Sequence, residues 1–481
     1  MQFNSIGYII FLFVVLALYY FLEHRWQNRM LLAASYFFYG WWDWRFLLLI
    51  LISTFTDYYC GIQIYERPTK GAKKTFLCLS LAVNLGLLGF FKYCNFFVDS
   101  FCDVFSLLGF HPSPLTLQII LPIGISFYTF KSISYSIDIY RGEIKPTYNF
   151  LDYALFVSFF PQLLAGPIER AKAFLPQIGN SRKFNLDQFV QGLQLIFWGM
   201  FKKIFVADNL GLIVNQVYNN PESSGIQYVI ATWAFAFQIY SDFSGYSDIA
   251  QGTSKCLGIE IMVNFKEPYF ASNPSDFWRR WHISLSSWLR DYVYVPLGGN
   301  RKGEFRTYGN LFLTMLLCGL WHGAAWNFII WGAYHGLLLC LYRIFANNRR
   351  SNLTGTSHLW SYMLKAFIMF QLTTLGWIFF RAQNLAQIKL IFSRIFNLSW
   401  ATSWDVTMLS EVCLFSSLPM LVMAFQTIRE LRPSWFLKKG LPKYFQFSHL
   451  PIPAKSVVYA ALTYLLCFYG AKAQTFIYFQ F

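Results

Sequence analysis

Histidine, arginine and tryptophan residues are concentrated in one stretch of the chain, residues 273–336. It contains three of the seven histidines, His282, His322 and His335, within largely apolar sequence. Neutral imidazole is the side chain best matched to taking a proton from a hydroxyl group near neutral pH. Polar groups are costly inside a membrane and usually mark a functional site there. The stretch is therefore the predicted centre of acid–base chemistry.

The first half of this stretch, residues 273–292, predicts a helix that lies in the membrane surface. Asn273 suits the N-cap position and Pro274 the first helical position. If the helix is continuous, apolar residues at three- and four-residue spacing occupy one face and polar residues form a stripe on another. Such an amphipathic helix lies in the interface instead of crossing it. The polar stripe consists of Arg279, His282, Ser286 and Arg290.

The second half predicts a helical hairpin. The chain is apolar over residues 311–320, is interrupted by Trp321, His322 and Gly323, and is apolar again to about Phe345. Basic flanks of apolar segments favour the cytoplasmic side. Both ends would then be cytoplasmic and His322 would lie at the deepest point. The basic residues at the two ends are Arg306, Arg343, Arg349 and Arg350.

Composition places the remainder of the chain in a membrane as well. Hydrophobic residues make up 56% of the 481 residues and charged residues only 13%, where soluble proteins have about 25% charged residues. Lysine and arginine occur in short loops, so the net charge of +16 indicates cytoplasmic loops and anionic lipid instead of nucleic acid. The nine cysteines show no metal-ligand spacing, and we predict no metal site.

These features predict an all-α, polytopic integral membrane protein forming one domain over residues 1–481. We expect roughly 11–13 membrane segments, including re-entrant or broken helices and surface amphipathic helices. Residues 92–114 are expected to form a loop, and residues 117–137 a span despite Pro122 and Gly124.

Polar residues inside one further apolar segment predict a cavity. Residues 229–258 begin as an apolar segment and then include Asp242 and Asp248. Such polarity within a span is expected to face protein or water instead of lipid. We interpret both carboxylates as buried partners of arginine or tyrosine side chains instead of catalytic groups.

Several motifs are similar to those of a known family. The central sequences FWRRWHISLSSWLRDYVYVPLGGNRKG (277–303) and GLWHGAAWNFIIWG (319–332) resemble the signature of the membrane-bound O-acyltransferase family. The resemblance is greatest to its bacterial branch of alginate and peptidoglycan O-acetyltransferases, and the D-alanyl transferase of teichoic acids is related. Further matching segments are FFPQLLAGPIER (159–170), LPIGISFYTFKSISYSIDIYRG (121–142), IYSDFSGYSDIAQG (239–252) and GWIFFRAQN (376–384).

The resemblance implies an acetyltransferase in the bacterial cytoplasmic (inner) membrane, with a catalytic core at about residues 120–345. Acetyl-CoA would be a donor substrate and not a permanently bound cofactor. The acceptor would be an exported or cell-wall polysaccharide, alginate-like, or a secreted acetyltransferase partner that relays the acetyl group. The other predicted partner is the lipid bilayer.

Two histidines are the predicted catalytic residues. His322 is expected to act as the general base, or to carry the acetyl group itself. A core histidine bonded to a carbonyl group is the alternative interpretation. His282 is either a second site residue, as its position in the family motif implies, or one more polar residue of the stripe. Arg279, Ser286 and Arg290 are predicted to bind the donor.

Three other interpretations remain open. His335 lies thirteen residues after His322, about 220° around a continuous helix, and is expected to be structural.

D-alanyl transfer to teichoic acid would use a carrier-protein thioester as donor. A transporter or flippase would use Asp242, Asp248 and His322 as a proton relay, although the two halves of the sequence show no repeat of broken segments.

The hairpin makes a direct topological prediction. Single-cysteine reporters at Lys70, Arg301 and Arg349, introduced in a cysteine-free background, should all react with a membrane-impermeant thiol reagent from the cytoplasmic side. Labelling of Arg301 or Arg349 from the periplasmic side would contradict the hairpin.

Overall fold

The computed structural model describes residues 1–110, 117, 119–164, 166–346, 357–397, 403–431, 451–471 and 474–477. Over this part of the chain the regular structure is helical and contains no strand, which confirms the all-α prediction. Arg349 and Arg350 lie outside the described residues. The α-helices run in chain order as α1 (Ile6–Tyr19), α2 (His24–Asp43), α3 (Leu47–Glu66), α4 (Lys70–Leu88), α5 (Cys94–Leu107), α6 (Ile125–Arg141), α7 (Phe150–Ser158), α8 (Phe160–Leu163), α9 (Ala171–Gly179), α10 (Leu186–Phe201), α11 (Asp208–Tyr218), α12 (Gly225–Cys256), α13 (Pro274–Arg280), α14 (Ile283–Leu289), α15 (Glu304–His322), α16 (Trp326–Ala346), α17 (Ser357–Arg381), α18 (Leu385–Phe396), α19 (Ser403–Leu431) and α20 (Ile452–Tyr469).

Seven helical stretches in the described residues are long and apolar enough to cross a membrane. Some of them contain two consecutive helices, as α2 and α3 do in His24–Glu66. The chain is therefore a multi-pass membrane protein, as predicted. The seven stretches are His24–Glu66, Lys70–Leu107, Leu186–Tyr218, Trp326–Phe345, Trp360–Arg381, Asp405–Glu430 and Ile452–Tyr469.

Helix α12 is buried along most of its length and packs against α10 and α11. Its first turn is closed by a capping box, in which Ser224 and Gln227 each bond the other's backbone N–H group. Small residues allow α10 to approach closely, since a Cβ atom on Gly252 would collide with the Gly192 carbonyl oxygen. The polar residues of this segment therefore face protein, as predicted.

The two carboxylates of α12 are paired, but the predicted type of partner is wrong. Asp242 lies 2.8 Å from Lys203 and Asp248 lies 2.7 Å from Lys202. Both lysines belong to a π-helical turn, Lys202–Ala207, between α10 and α11. A short π-helical turn leaves no recognisable hydrophobic pattern in the sequence. From the sequence, these two lysines therefore resemble the charged end of a membrane span.

Helices α15 and α16 form the predicted hairpin, with a break at residues 323–325. The two helices touch closely because a Cβ atom on Gly319 would collide with the Phe328 carbonyl oxygen. Helix α15 has 19 residues and is about 28 Å long, close to the roughly 30 Å thickness of the hydrocarbon core. His322 therefore lies at the end of the hairpin farthest from Glu304.

The predicted continuous surface helix over residues 273–292 is wrong. Asn273 does cap α13, accepting a hydrogen bond from the Asp276 N–H group at 2.9 Å. The helix ends at Arg280, however, and α14 starts only at Ile283. A turn at Trp281 and His282 interrupts it, so the polar stripe does not follow one straight axis.

Two other expected boundaries are also wrong. The predicted loop 92–114 is helical as far as Leu107, through a π-helical turn, Gly89–Tyr93, that leads into α5. The predicted span 117–137 becomes helical only at Ile125. Gly124 precedes it with a φ of 79°, where a Cβ atom would collide with the Leu163 carbonyl oxygen. The irregular backbone before α6 borders the site described next.

Candidate active site

The structure brings the two predicted catalytic histidines together in the protein interior. His322 is the last residue of α15, and His282 occupies the turn between α13 and α14. Their ring centroids are 6.4 Å apart. The exposed fractions are 3% for His322 and 0% for His282. Residues 40 positions apart in the sequence thus form one site, although their catalytic roles stay predictions.

The turn at His282 is held in an unusual backbone conformation by Asn264. His282 has a φ of 44°, a left-handed conformation that is uncommon for residues other than glycine. The Asn264 backbone carbonyl accepts a hydrogen bond from the Ile283 N–H group at 2.9 Å. Its side-chain carbonyl accepts from the Ser284 hydroxyl at 2.7 Å, and its amide donates to Ser247 at 3.2 Å. Asn264 therefore ties this turn directly to α12.

The carboxyl end of α15 is held by two side chains from the π-helical turn between α4 and α5. The Lys92 ammonium donates to the backbone carbonyls of Trp321 at 2.6 Å and His322 at 3.1 Å. The Tyr93 hydroxyl donates to the Leu320 carbonyl at 2.9 Å. A cation is favourable at a helix carboxyl terminus, and these carbonyls lack partners within the helix. Lys92 thus fixes the backbone that carries His322.

Aromatic rings surround the two imidazoles. The Phe243 ring lies edge-on to His282, with centroids 4.7 Å apart. Trp331 and Phe380 both meet His322 edge-on, at 5.0 and 5.2 Å. Trp321 lies near both, 5.7 Å from His282 and 5.0 Å from His322. Large rings of limited rotamer freedom restrict the orientations of the two imidazoles.

Three cavities adjoin this region, and we name them A, B and C. Cavity A is the smallest, at about 70 Å³, and His322 is part of its wall. It is enclosed by the irregular backbone before α6 and the first turn of that helix. The lining residues are Lys92, Leu121, Pro122, Ile123, Gly124, Ile125, Ser126, Phe127, Leu164, Trp321 and His322.

Cavity B, of about 260 Å³, lies between α10, α12 and α19. It includes the ion pair between Lys202 and Asp248, and it reaches Asn264, which holds the His282 turn. Its wall combines hydroxyl and amide groups with aromatic rings. The remaining lining residues are Leu195, Trp198, Tyr240, Ser244, Ser247, Gln251, Val263, Phe265, Pro419, Val422, Met423 and Gln426.

Cavity C is the largest of the three, at about 570 Å³, and lies at the tip of the hairpin. Gly323, the residue after His322, is part of its wall, and Arg381 from the end of α17 faces it. The other lining residues are Asn215, Asn219, Ala324, Ala325, Asn327, Phe328, Ala382 and Gln383.

The predicted donor-binding residues lie apart from these cavities. Arg279 and Arg290 are exposed, and the Arg290 guanidinium donates to Asp291 at 2.8 Å. The Ser286 hydroxyl donates to the Trp281 carbonyl at 3.1 Å and so stabilises the broken turn. None of the three lines cavity A, B or C. Their role in donor binding stays a prediction.

His335 is close to the site but packed in a different environment. It is fully buried, with Phe277 stacked at 6.0 Å and Trp331 edge-on at 4.9 Å. Trp331 separates it from His322. Neither ring nitrogen of His335 has a hydrogen-bond partner in the part of the chain that the structure describes.

Sequence reasoning missed the residues that support the histidines. From the sequence, Lys92 resembles the basic end of a membrane span, because a π-helical turn has no recognisable sequence pattern. Asn264 lies in an irregular segment between helices, where a single asparagine normally indicates a turn. Arg381 lies within the motif GWIFFRAQN, which could have identified it.

This arrangement defines a class of protein: a multi-pass helical membrane protein with a buried histidine pair and cavities on more than one side of it. The model of the membrane-bound O-acyltransferase family matches residues 31–381. That match covers more than half of the chain, and the chain belongs to this family. It is therefore an O-acyltransferase, as predicted.

Individual relatives agree with the predicted branch of the family. The chain is 42% identical to the probable alginate O-acetylase AlgI of Pseudomonas aeruginosa, over 89% of this chain and 81% of that protein. It is 39% identical to a peptidoglycan O-acetyltransferase of Helicobacter pylori, over 74% and 71%. A teichoic acid D-alanyltransferase of Bacillus subtilis is 30% identical over 56% of this chain and 71% of that one.

The Asn264 contacts make a prediction about activity. Asn264→Ala should lower kcat on the order of 10²-fold, because a small displacement of a catalytic group is enough for such a loss. Acyl transfer and membrane abundance should be measured together. Asn95→Ala is the matched control, since the hydrogen bonds that the Asn95 side chain makes with described residues are exposed ones to the Leu117 backbone. Unchanged kcat in Asn264→Ala would contradict the positioning role.

Proposed function

We propose that this protein transfers acetyl groups across the bacterial cytoplasmic membrane. Acetyl-CoA is the donor on the cytoplasmic side, and the acceptor is a hydroxyl group on the other side. The acetyl group serves O-acetylation of an exported or cell-wall polysaccharide, with an extracytoplasmic partner protein. The observation that supports this proposal best is that the two neighbouring histidines adjoin different cavities: His322 directly precedes Gly323 of cavity C, and the His282 turn is held by Asn264 of cavity B.

The sides of the membrane follow from the distribution of basic residues. Helix α15 follows the basic loop with Arg301 and Arg306, and α16 returns towards Arg343. Basic loops favour the cytoplasm. The hairpin tip and cavity C then face the outside.

Cavity B lies towards the opposite face. Its residues Pro419 to Gln426 belong to the second half of α19, which approaches Arg429. Gln251 of cavity B lies in the last two turns of α12. The first turn of the same helix, at its other end, follows the loop that contains Asn219 of cavity C. Cavity B is therefore assigned to the cytoplasmic half, where the donor is made.

His322 acts as the general base in the proposed reaction. Its imidazole takes the proton of the acceptor hydroxyl while the oxygen attacks the thioester carbonyl carbon. A carbon–oxygen bond forms, the carbon–sulfur bond breaks, and the leaving thiolate takes the proton back from the imidazolium. His322 could instead carry the acetyl group briefly, with the same overall balance. His282, fixed by Asn264, lies beside His322 on the side of cavity B and is proposed to orient it or the thioester.

Acetyl transfer is favoured over the two rival functions by separate observations. The two relatives named for O-acetyl transfer match a larger part of this chain at higher identity than the D-alanyltransferase does. A proton-relay transporter needs carboxylates able to titrate, whereas Asp242 and Asp248 are both engaged in ion pairs with lysines.

The assignment of the base is tested by comparing two histidines. His322→Ala should lower transfer of labelled acetyl groups from acetyl-CoA on the order of 10²–10⁴-fold, because the variant lacks the general base. His335→Ala, which removes an equally buried imidazole behind Trp331, should have a far smaller effect.

Membrane abundance and thermal stability must be equal for this comparison to count. Near-normal transfer by His322→Ala at equal abundance would reject the assignment of His322 as the general base. If both variants lose acetyl transfer to the same extent while both proteins remain intact, the loss comes from disturbed packing around Trp331 and not from removal of a base.

The predicted donor residues are tested by the dependence on acetyl-CoA concentration. Arg279→Gln combined with Arg290→Gln should raise the KM for acetyl-CoA and leave kcat nearly unchanged, because exposed arginines contribute to binding of the donor phosphates and not to chemistry. An unchanged KM would show that the two arginines do not bind the donor, and would favour a role as anchors for lipid headgroups.

A further inference from the structure

Arg381, at the wall of cavity C, is a cation that has no acidic partner among the described residues. Its guanidinium donates to the Asn215 side-chain carbonyl at 2.7 Å and lies over the Tyr218 ring at 5.1 Å. These contacts fix its position, and among the described residues only one of its five N–H donors takes part in a hydrogen bond. No carboxylate of the described residues lies within 4.0 Å of it.

The lysines beside cavity B differ in this respect. Lys202 pairs with Asp248, and Lys203 pairs with both Asp208 and Asp242. Partly buried charges are normally paired, because removing a charge from water is costly. An arginine that is held in place, lines a cavity and lacks a counter-ion is therefore ready to bind an anion.

Amide side chains complete the wall around Arg381. Asn327 donates to the Ala382 carbonyl at 2.8 Å, and Gln383 donates to Asn219 at 3.3 Å. In the described structure these bonds use one polar atom of each amide and leave the other available. Asparagine and glutamine side chains offer both donors and acceptors, which suits the neighbouring hydroxyl groups of a sugar.

We propose that cavity C is a binding site for an acidic saccharide unit, whose carboxylate is bound by Arg381 and whose hydroxyls meet the amides. This inference rests on the proposed function, in which cavity C faces outwards and receives the acceptor. The guanidinium fork matches a carboxylate in a bidentate geometry. A volume of about 570 Å³ lies within the range of about 300–1,000 Å³ typical of small-molecule sites.

Cavity C lies close to His322, on the other side of packed aromatic side chains. Gly323 and Phe328 belong to the wall of cavity C. The Phe328 ring meets Phe380 at 5.0 Å, and Phe380 meets His322 at 5.2 Å. A sugar held by Arg381 therefore lies one layer of aromatic side chains from the imidazole. Arg381 is a binding residue in this proposal and not a catalytic one.

Direct binding to the full-length protein in nanodiscs, without acetyl-CoA, tests the proposal. The probe is a fluorescent oligouronate, compared with the same oligosaccharide after reduction of its carboxyl groups. Arg381→Gln should raise the Kd for the oligouronate about 10-fold or more. The reduced oligosaccharide should bind weakly, and equally, to the wild type and the variant.

Three further variants make the result specific. Arg381→Lys keeps the charge but loses the planar fork and should give an intermediate Kd. Arg394→Gln, which removes an exposed arginine paired with Glu222 near the same loop, should leave the Kd unchanged. His322→Ala should bind the oligouronate normally while losing acetyl transfer, so a loss of binding is separated from a loss of chemistry.

Several outcomes would overturn the acidic-saccharide site. These are wild-type protein that binds no oligouronate, an unchanged Kd in Arg381→Gln, or tight binding of the carboxyl-reduced oligosaccharide. Arg381-dependent binding of an acidic peptide in place of the oligouronate would also overturn it, and would assign cavity C to a protein partner. Normal oligouronate binding without any acetyl transfer by the wild type would instead overturn the proposed function and leave the site standing.

Discussion

The site depends on one constraint: backbone groups released by a helix break inside a membrane protein must be satisfied by other parts of the protein. Both histidines lie at such breaks. Lys92 and Tyr93 satisfy the carbonyls at the end of α15, and Asn264 satisfies the turn at His282. The same hydrogen bonds that make the breaks possible therefore also fix the two imidazoles 6.4 Å apart.

Three π-helical turns supply many of the charged groups around this site. Gly89–Tyr93 contains Lys92, Lys202–Ala207 begins with both lysines of the α12 ion pairs, and Arg290–Tyr294 begins with Arg290. A π-helical turn widens the helix and shifts the register of the side chains that follow, and such turns are frequent at functional sites. Here the first two direct lysines into the protein interior, where the partners are carbonyls or carboxylates. The cost of burying these charges is offset by those contacts.

Much of the fold could be predicted from long-range properties of the sequence. Apolar length, basic flanks and the glycine break at Gly323 predict the membrane class and the α15–α16 hairpin, because hydrophobic burial, the charge bias of cytoplasmic loops and glycine breaks each leave a direct pattern in the sequence. The family motifs predict His322 and His282 as site residues, and the structure places the two side by side. The helix boundaries at Trp281 and at Gly89–Tyr93 could not be predicted, since tertiary contacts with Asn264 and with α15 decide them. The contribution of Lys92 depends on residues more than 150 positions away and has no local signal, whereas Arg381 lies within the motif GWIFFRAQN and could have been singled out from it.

The central claim is that the histidine pair connects a donor on one face with an acceptor on the other. Full-length protein in proteoliposomes of determined orientation tests this most directly, with labelled acetyl-CoA sealed on one side and an acceptor with free hydroxyl groups on the other. We expect acetylated acceptor only when acetyl-CoA is on the face of Arg301 and the acceptor is on the face of cavity C, and none with His322→Ala. Transfer at the same rate with donor and acceptor on one face, and none across the bilayer, would contradict the central claim.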